Sequence, residues 1–388
     1  MTTPPVPVSA PTNTASPPRR VALVHDWLIG MRGGERALEA ICELFPDATL
    51  FALLHVPGSV SGTIEARRIH TSLIQHLPLA HRYYRRLLPL FPAAVEQFDL
   101  DDFDLIISTS HCAAKSVVPA ARARHLCYCF TPMRYAWDQF DAYFGPNRVG
   151  ASTSRLMRWG LNGMARWDAS TAGRANHYVA ISQYVAGRIR RYYNRAASVV
   201  YPPVDTTFFR PSGTPPDAHL LIVSALVPYK RVDLAIRACA LVGAPLRIVG
   251  DGPELARLRA AAGPDVEFLG TVSDDQVRAA YQGAAAVLLP GVEDFGIAPV
   301  EAQACGRPVI ALAQGGACET VINGSTGILV PEPTEAAFAD AIDRVRHERF
   351  DAAAIRQHAV RFSRERFQAE ITQQVEQMLA GPVERVTR

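Results

Sequence analysis

From Arg20 onward the chain alternates short apolar runs with helix-patterned segments, and it does so in two successive series. Alternation of this kind is satisfied by parallel sheets with helices on both faces, so the expected class is α/β. The first series has strand candidates at 21–25, 49–54, 105–108, 125–130 and 177–180, with helices expected near 34–44, 75–91, 151–172 and 183–193. The second begins after Tyr201-Pro202-Pro203, whose prolines read as a rigid linker. Its strand candidates are 220–223, 246–249, 266–269, 286–289, 309–311 and 327–330, with helices near 230–241, 254–262, 273–282, 299–305 and 334–347. At 388 residues the length favours two domains. The simplest assembly is two doubly wound domains, 20–203 and 204–362, facing a central cleft. Segment 363–388 carries an amphipathic helix that either finishes the second domain or crosses back to the first. Residues 1–19, rich in Pro, Thr and Ser, are expected to be a disordered tail.

Composition narrows the function classes. The chain is 48% apolar and 20% charged, an ordinary globular balance. No apolar run approaches the roughly 18 residues that span a bilayer, and the first residues lack a signal-peptide core, so a cytoplasmic protein is expected. The seven cysteines are scattered, and Cys127 and Cys129 lack Cys-x-x-Cys spacing, which predicts reduced, structural thiols. No His/Cys cluster has metal-ligand spacing, and no Gly-x-Ser-x-Gly elbow occurs. A net charge of +3 does not argue for nucleic acid. Arginines nevertheless mingle with aromatic and aliphatic residues over His81–Phe91, and again at Arg155, Arg158, Trp159, Arg166 and Trp167. Such stretches suit either a helix lying on an anionic inner-membrane surface or a solvated helix packing its apolar face on the domain.

The basic residues carry a bias of their own. Of 40 lysines and arginines only Lys115 and Lys230 are lysine. Lysine is a compact point charge suited to phosphate, whereas arginine is a planar fork, so a lysine kept against the bias is expected to be needed as one.

The chemistry concentrates at predicted strand ends. Glu293 and Glu301 bracket Glu293-Asp294-Phe295-Gly296-Ile297-Ala298-Pro299-Val300-Glu301, directly after an apolar run. Glu293 is expected in a loop facing the cleft and Glu301 in the first turn of a helix beginning near Pro299, with free amides from Phe295 to Ala298. The bland alternative makes Glu301 a dipole-complementing carboxylate and Glu293 a solvated loop residue. His25-Asp26-Trp27-Leu28 ends the first strand, and Gly30, Gly33, Gly34 and Glu35 follow at a strand-to-helix turn that lets a phosphate or sugar approach the backbone. This is not the dinucleotide fingerprint, which disfavours hydride transfer. Lys230 and Arg231 sit near a helix start, where positive charge gains nothing from the dipole and a ligand anion would explain it. Gly250-Asp251-Gly252-Pro253 and Gly315-Gly316-Ala317-Cys318-Glu319 are further glycine loops after strands, and such points converge on one cleft.

Taken together, these residues resemble the Glu-x7-Glu signature of retaining, nucleotide-sugar-dependent glycosyltransferases of family 4, which have the GT-B fold. The 224–233 segment, Gly250–Pro253, Val204-Asp205, Phe209-Arg210-Pro211 and the 315–319 loop fall in family order, and the resemblance spans the chain from Val21. His25-Asp26-Trp27 with Gly33-Gly34-Glu35, and Thr131-Pro132-Met133-Arg134-Tyr135, are similar to the mannosyltransferase branch of O-antigen and polysaccharide assembly. The resemblance implies that Glu293 orients the donor sugar, Glu301 binds the nucleotide ribose and Lys230 neutralises the diphosphate. Gly33 and Gly34 would face the diphosphate, Arg231 would assist, and amides at Phe295, Gly296 and Ile297 would touch the sugar. His25, Asp26 and Arg134 would line the acceptor side. It implies a hexose, mannose from GDP-mannose, moved to a lipid-linked or polysaccharide acceptor, with no metal or other cofactor, at the cytoplasmic face of the membrane. Lys230→Ala would then abolish donor use and Lys115→Ala would leave it nearly intact. Two departures stand out: the family commonly has arginine at Ala225 and many members have histidine at Phe130, with Arg231 or Arg134 as substitute cations. Rival readings are a GT-B epimerase or phosphorylase, a glycosidase, and a non-catalytic nucleotide-sugar-binding or scaffolding subunit.

Overall fold

The computed structural model describes residues 20–381, and the tail expected to be disordered, 1–19, lies outside them. Strands β1 (Val21–His25), β2 (Thr49–Ala52), β3 (Arg68–Thr71), β4 (Leu105–Ser110), β5 (Arg124–Cys129), β6 (His177–Ala180) and β7 (Ser198–Val199) form one sheet in the order β3-β2-β1-β4-β5-β6-β7. Strands β8 (Leu220–Val223), β9 (Leu246–Val249), β10 (Val266–Gly270), β11 (Ala286–Leu289), β12 (Val309–Leu312) and β13 (Gly327–Val330) form a second in the order β10-β9-β8-β11-β12-β13. The strand pairs are parallel in both, for example β1 with β4 and β8 with β11. Central strands β4, β5, β11 and β12 are buried along their whole length, as helices on both faces demand. Polar side chains inside them pair with one another: Ser108 Oγ lies 2.8 Å from His125 Nε2. Strand order reverses between β1 and β4 and again between β8 and β11, leaving a crevice beyond the carboxyl end of each sheet.

Several elements depart from expectation. The segment expected as one helix over 75–91 is instead a 3₁₀ turn (Leu73–His76), a short helix (Ala80–Tyr83), a second 3₁₀ stretch (Tyr84–Leu90) and a helix from Phe91 to Glu96. Pro78 precedes Leu79, which sits at φ +53°, and Pro89 interrupts the 3₁₀ stretch, so no continuous ladder survives. Strands β3 and β7 and the helix Ala352–Val360 were not anticipated. Within the helix Ala151–Ser170, Trp167 is partly buried and donates to Glu96 at 3.1 Å, so it is no part of an outer surface. Trp159, at 78% exposure, and Leu156 do face outward, with Arg155 and Arg158 beside them.

The last helix, Arg364–Ala380, packs against the helix Gly33–Leu44 and β5. Arg364 pairs with Glu39 at 3.1 Å and Glu43 at 2.7 Å, Gln368 donates to the Ala40 carbonyl, and Phe367 meets Tyr128 edge-on. Among the described residues no helix is long and apolar enough to cross a membrane.

Candidate functional site

The loops at the carboxyl ends of β8, β9, β11 and β12 are stitched together backbone to backbone, and a glycine stands at each seam. A Cβ on Gly250 or Gly252 would collide with the backbone at Ser224 or Leu226, one on Gly291 with Tyr229 and Lys230, and one on Gly315 or Gly316 with Glu293 and Phe295. The glycine loops that suggested close approach of a ligand therefore serve, at 250–252 and 315–316, close approach of neighbouring loops. The result is a rigid crest that carries the charged side chains.

Lys230 and Glu293 form an ion pair on that crest, with Lys230 18% and Glu293 8% exposed at the side chain. Burial drives the Lys230 ammonium down, but the carboxylate of Glu293 more than offsets it, so its pKa ends above the usual value and the charge is held. Four residues on, the helix Ile297–Ala304 starts after Gly296, whose φ of +88° suits glycine. The first amides of that helix have no acceptor within it. Glu301 therefore lies in the second turn rather than the first. Its carboxyl takes a 2.9 Å bond from the Tyr281 hydroxyl; burial raises its pKa, with Arg36 and Tyr281 pulling the other way. The Phe295 ring turns inward, stacked at 5.6 Å on Tyr201, so only its backbone is available to a ligand.

The first domain closes the other side. Gly33 opens its helix against the start of the 297–304 helix, so closely that a Cβ on Gly33 would collide with Ile297 Cδ1. Two helix N-termini thus face one another, a place suited to anionic groups. Gly34 lies over Phe130 and His25. His25 is buried, its Nδ1 2.7 Å from Thr109 Oγ1 and its Nε2 without a hydrogen-bond partner. Asp26 is fully buried and accepts four backbone amides, from His111, Cys112, Ala113 and Ala114, at 2.6–2.9 Å. Its carboxylate is thus a backbone clamp whose direct contacts are all internal.

What Asp26 positions is His111, which the sequence reading missed. Its Nδ1 is 3.1 Å from Asp26, and its ring meets Trp27 edge-on at 4.4 Å and lies 6.2 Å from Phe130. Desolvation pushes its pKa below the ordinary imidazole value despite the raising effect of Asp26. Its place one residue past β4, at the switch point, was the available signal.

The substitute cations are already committed. Arg134 pairs with Asp294 and donates to the Tyr229 hydroxyl at 2.9 Å; Arg188 pairs with the same Asp294 at 2.8 Å and with Asp138. Asp294, in the Glu293–Glu301 stretch, is thus the carboxylate on which two arginines of the first domain converge. Arg231, at φ +51°, leans 3.6 Å from Asp233 of its own helix. Glu319 accepts the amides of Gln183 and Tyr184 at the start of the helix Gln183–Tyr193, which joins it to the first domain. Lys115 is buried away from the cleft, 3.0 Å from Asp168 and 4.6 Å from the Tyr193 ring centre.

Two family models match the chain in succession, Glycosyltransferase Family 4 over residues 32–208 and Glycosyl transferases group 1 over residues 205–364. Among curated proteins, a GDP-mannose-dependent alpha-(1-6)-phosphatidylinositol monomannoside mannosyltransferase of Mycobacterium tuberculosis is 33% identical over 246 residues, 54% of this chain and 63% of the relative. A D-inositol 3-phosphate glycosyltransferase of Mycobacterium bovis is 36% identical over 169 residues, 38% of this chain and 35% of the relative. The chain thus spans less than two thirds of either relative's length. The Anabaena protein HepE, crystallised with UDP and glucose, superposes with a TM-score of 0.69 at 19% identity, covering 92% of this chain and 99% of that one, and so shares the fold.

Proposed function

Because the chain belongs to the family 4 glycosyltransferases and has their two-domain GT-B fold, we propose that it is a hexosyltransferase that moves mannose from GDP-mannose, with retention, to a hydroxyl of a lipid-linked or polysaccharide acceptor. The observation that carries this reading is the Lys230–Glu293 pair on the crest at the β8/β11 switch point, beside a helix start that touches Gly33 across the cleft.

In the proposed reaction the bond between the anomeric carbon and the diphosphate oxygen breaks as the acceptor oxygen bonds to the same carbon. Charge develops on the leaving diphosphate, where Lys230 and the amides of the two facing helix starts stabilise it without reorganising. Glu293 orients the sugar hydroxyls, and Glu301, steadied by Tyr281, takes the ribose. A leaving-phosphate oxygen receives the acceptor proton, and His111 positions the acceptor hydroxyl. No metal is required by this scheme. Mannose and guanine are favoured by the name of the mycobacterial mannosyltransferase, whereas the HepE complex holds UDP. Exposed Leu156 and Trp159, flanked by Arg155 and Arg158, support work at a membrane surface on its cytoplasmic face.

Calorimetry with GDP, GDP-mannose, UDP and UDP-glucose tests the donor site. Guanine-selective binding weakened by Lys230→Ala and by Glu301→Ala is expected; indifference to base and to both changes would overturn the reading. A second reading, a nucleotide-sugar-binding scaffold, draws on Ala225 and Phe130 together with the prior commitment of Arg134 and Arg231. Tight nucleotide binding without transfer to any acceptor would favour it.

A further inference from the structure

Beside the first-domain wall of the cleft, the broken 73–96 segment and the loop after β1 flank an open hollow of about 450 Å³. Four arginines line it, Arg32, Arg82, Arg85 and Arg86, together with Ile29 and Tyr83. Elsewhere the arginines of this cleft are matched: Arg36 with Asp274, Arg134 and Arg188 with Asp294, Arg148 with Glu254. The four cavity arginines are not. Among the described residues none of their guanidinium groups pairs with a carboxylate, and Arg82, Arg85 and Arg86 rest instead on the rings of Tyr83 and Tyr84. Glu35 takes the backbone amide of Arg32 and not its side chain.

All four side chains are exposed, so water and salt screen their mutual repulsion, but they converge on one hollow with no carboxylate among its lining residues. A phosphate or diphosphate suits such a place, because its oxygens accept paired N–H bonds from planar guanidinium forks. The cavity is also mechanically joined to the reaction cleft. Tyr84 packs 4.9 Å from Trp27, Trp27 packs on His111, and His111 faces Phe130 beneath Gly34.

We propose that this arginine-lined cavity is a second anion site, which holds a phosphate or diphosphate group carried by the acceptor while the acceptor hydroxyl reaches the cleft. It rests on the hexosyltransferase reading, since only a group transfer needs an acceptor, and it adds the chemistry by which that acceptor is chosen. Leu79 and Leu90, exposed on either side of the arginines in the same segment, provide a landing for an apolar chain on such a group.

The test is calorimetric titration of the full-length protein with inorganic pyrophosphate. The wild type is expected to bind two equivalents. Arg85→Ala/Arg86→Ala should weaken one site at least about tenfold, as loss of charge-assisted bonds requires, and leave the other; Lys230→Ala should do the reverse. Arg86→Glu, a change at one exposed residue, should reproduce the arginine loss. If the arginine variants leave both affinities unchanged, or if Lys230→Ala removes all binding, the cavity site is wrong. If instead Lys230→Ala leaves both sites intact, the donor-site reading fails and the arginine site stands. Farnesyl diphosphate below its micellar concentration separates the sources: tighter binding than pyrophosphate at the arginine site assigns a lipid-borne group, and equal binding assigns the phosphate of a soluble glycan.

Discussion

The two lysines of this chain are both ion-paired, but Lys115 is fully buried and Lys230 only partly so, and their surroundings differ. Lys115 sits 3.0 Å from Asp168, and the remaining capacity of that carboxylate goes to Trp137 and Tyr193 at 2.8 and 2.9 Å. Its ammonium also donates to the Asp168 carbonyl and to Thr171. Every partner is internal, and the network ties the turn after β4 to the helices at 134–137, 151–170 and 183–193. Lys230 has Glu293 on one side and the cleft on the other. An ion pair alone therefore does not distinguish the two; what does is the side of Lys230 left open to the cleft.

The strongest way to break that contrast is Lys115→Ala. It leaves Asp168 buried without its cation, and the expected loss is about 3–5 kcal/mol of stability in urea unfolding. Donor use by the folded fraction is still expected to be nearly intact; wild-type stability would show the pair to be dispensable. Next, Lys230→Ala should lower turnover about 100- to 1,000-fold, the usual cost of one preorganised stabilising group, with a smaller change in unfolding free energy. Equal losses of stability in the two variants would erase the distinction. Third, Asp294→Asn weakens the hold of Arg134 and Arg188 across the domains at a cost of about 1–3 kcal/mol. Small-angle scattering should show a larger radius of gyration, and an unchanged profile would deny it a latching role.

The smallest effect concerns Glu301. Its folded pKa is raised, so both states are protonated well below the usual carboxylate value and burial costs nothing there. As pH rises through that value the unfolded chain ionises first, and stability falls until pH passes the folded pKa. Glu301→Gln should therefore raise the melting temperature slightly at pH 7–8 and leave it unchanged near pH 3. A gain of equal size at both would exclude titration as the cause.

What could be read beforehand follows from range along the chain. Strands such as β1 and β11 are continuous apolar runs, and their order in two series was legible from period and linker prolines. β3, Arg-Ile-His-Thr at an edge, has no such run, and β7 spans two residues. The stretch 75–91 has helical periodicity that Pro78 and Pro89 override. Lys230, Glu293 and Gly33 were marked by their places after strands or at helix starts. The burial of Lys115 was not, because Asp168 lies 53 residues away, and neither was the inward turn of Asp26, whose four amide donors lie some 85 residues on. Glycines at 250–252 and 315–316 looked the same whether their neighbour was a ligand or another loop.

The glycine seams of the second-domain crest have an evolutionary consequence. Loops joined backbone to backbone leave no slack for an added or deleted residue, so relatives that diversify the donor would have to do it by exchanging side chains on a frame of fixed length. The 73–96 segment of the first domain, already broken into short turns, carries no such restriction and can lengthen freely. Under the proposed function, a chain of this design would keep its donor side almost intact while the opposite wall varied by insertion.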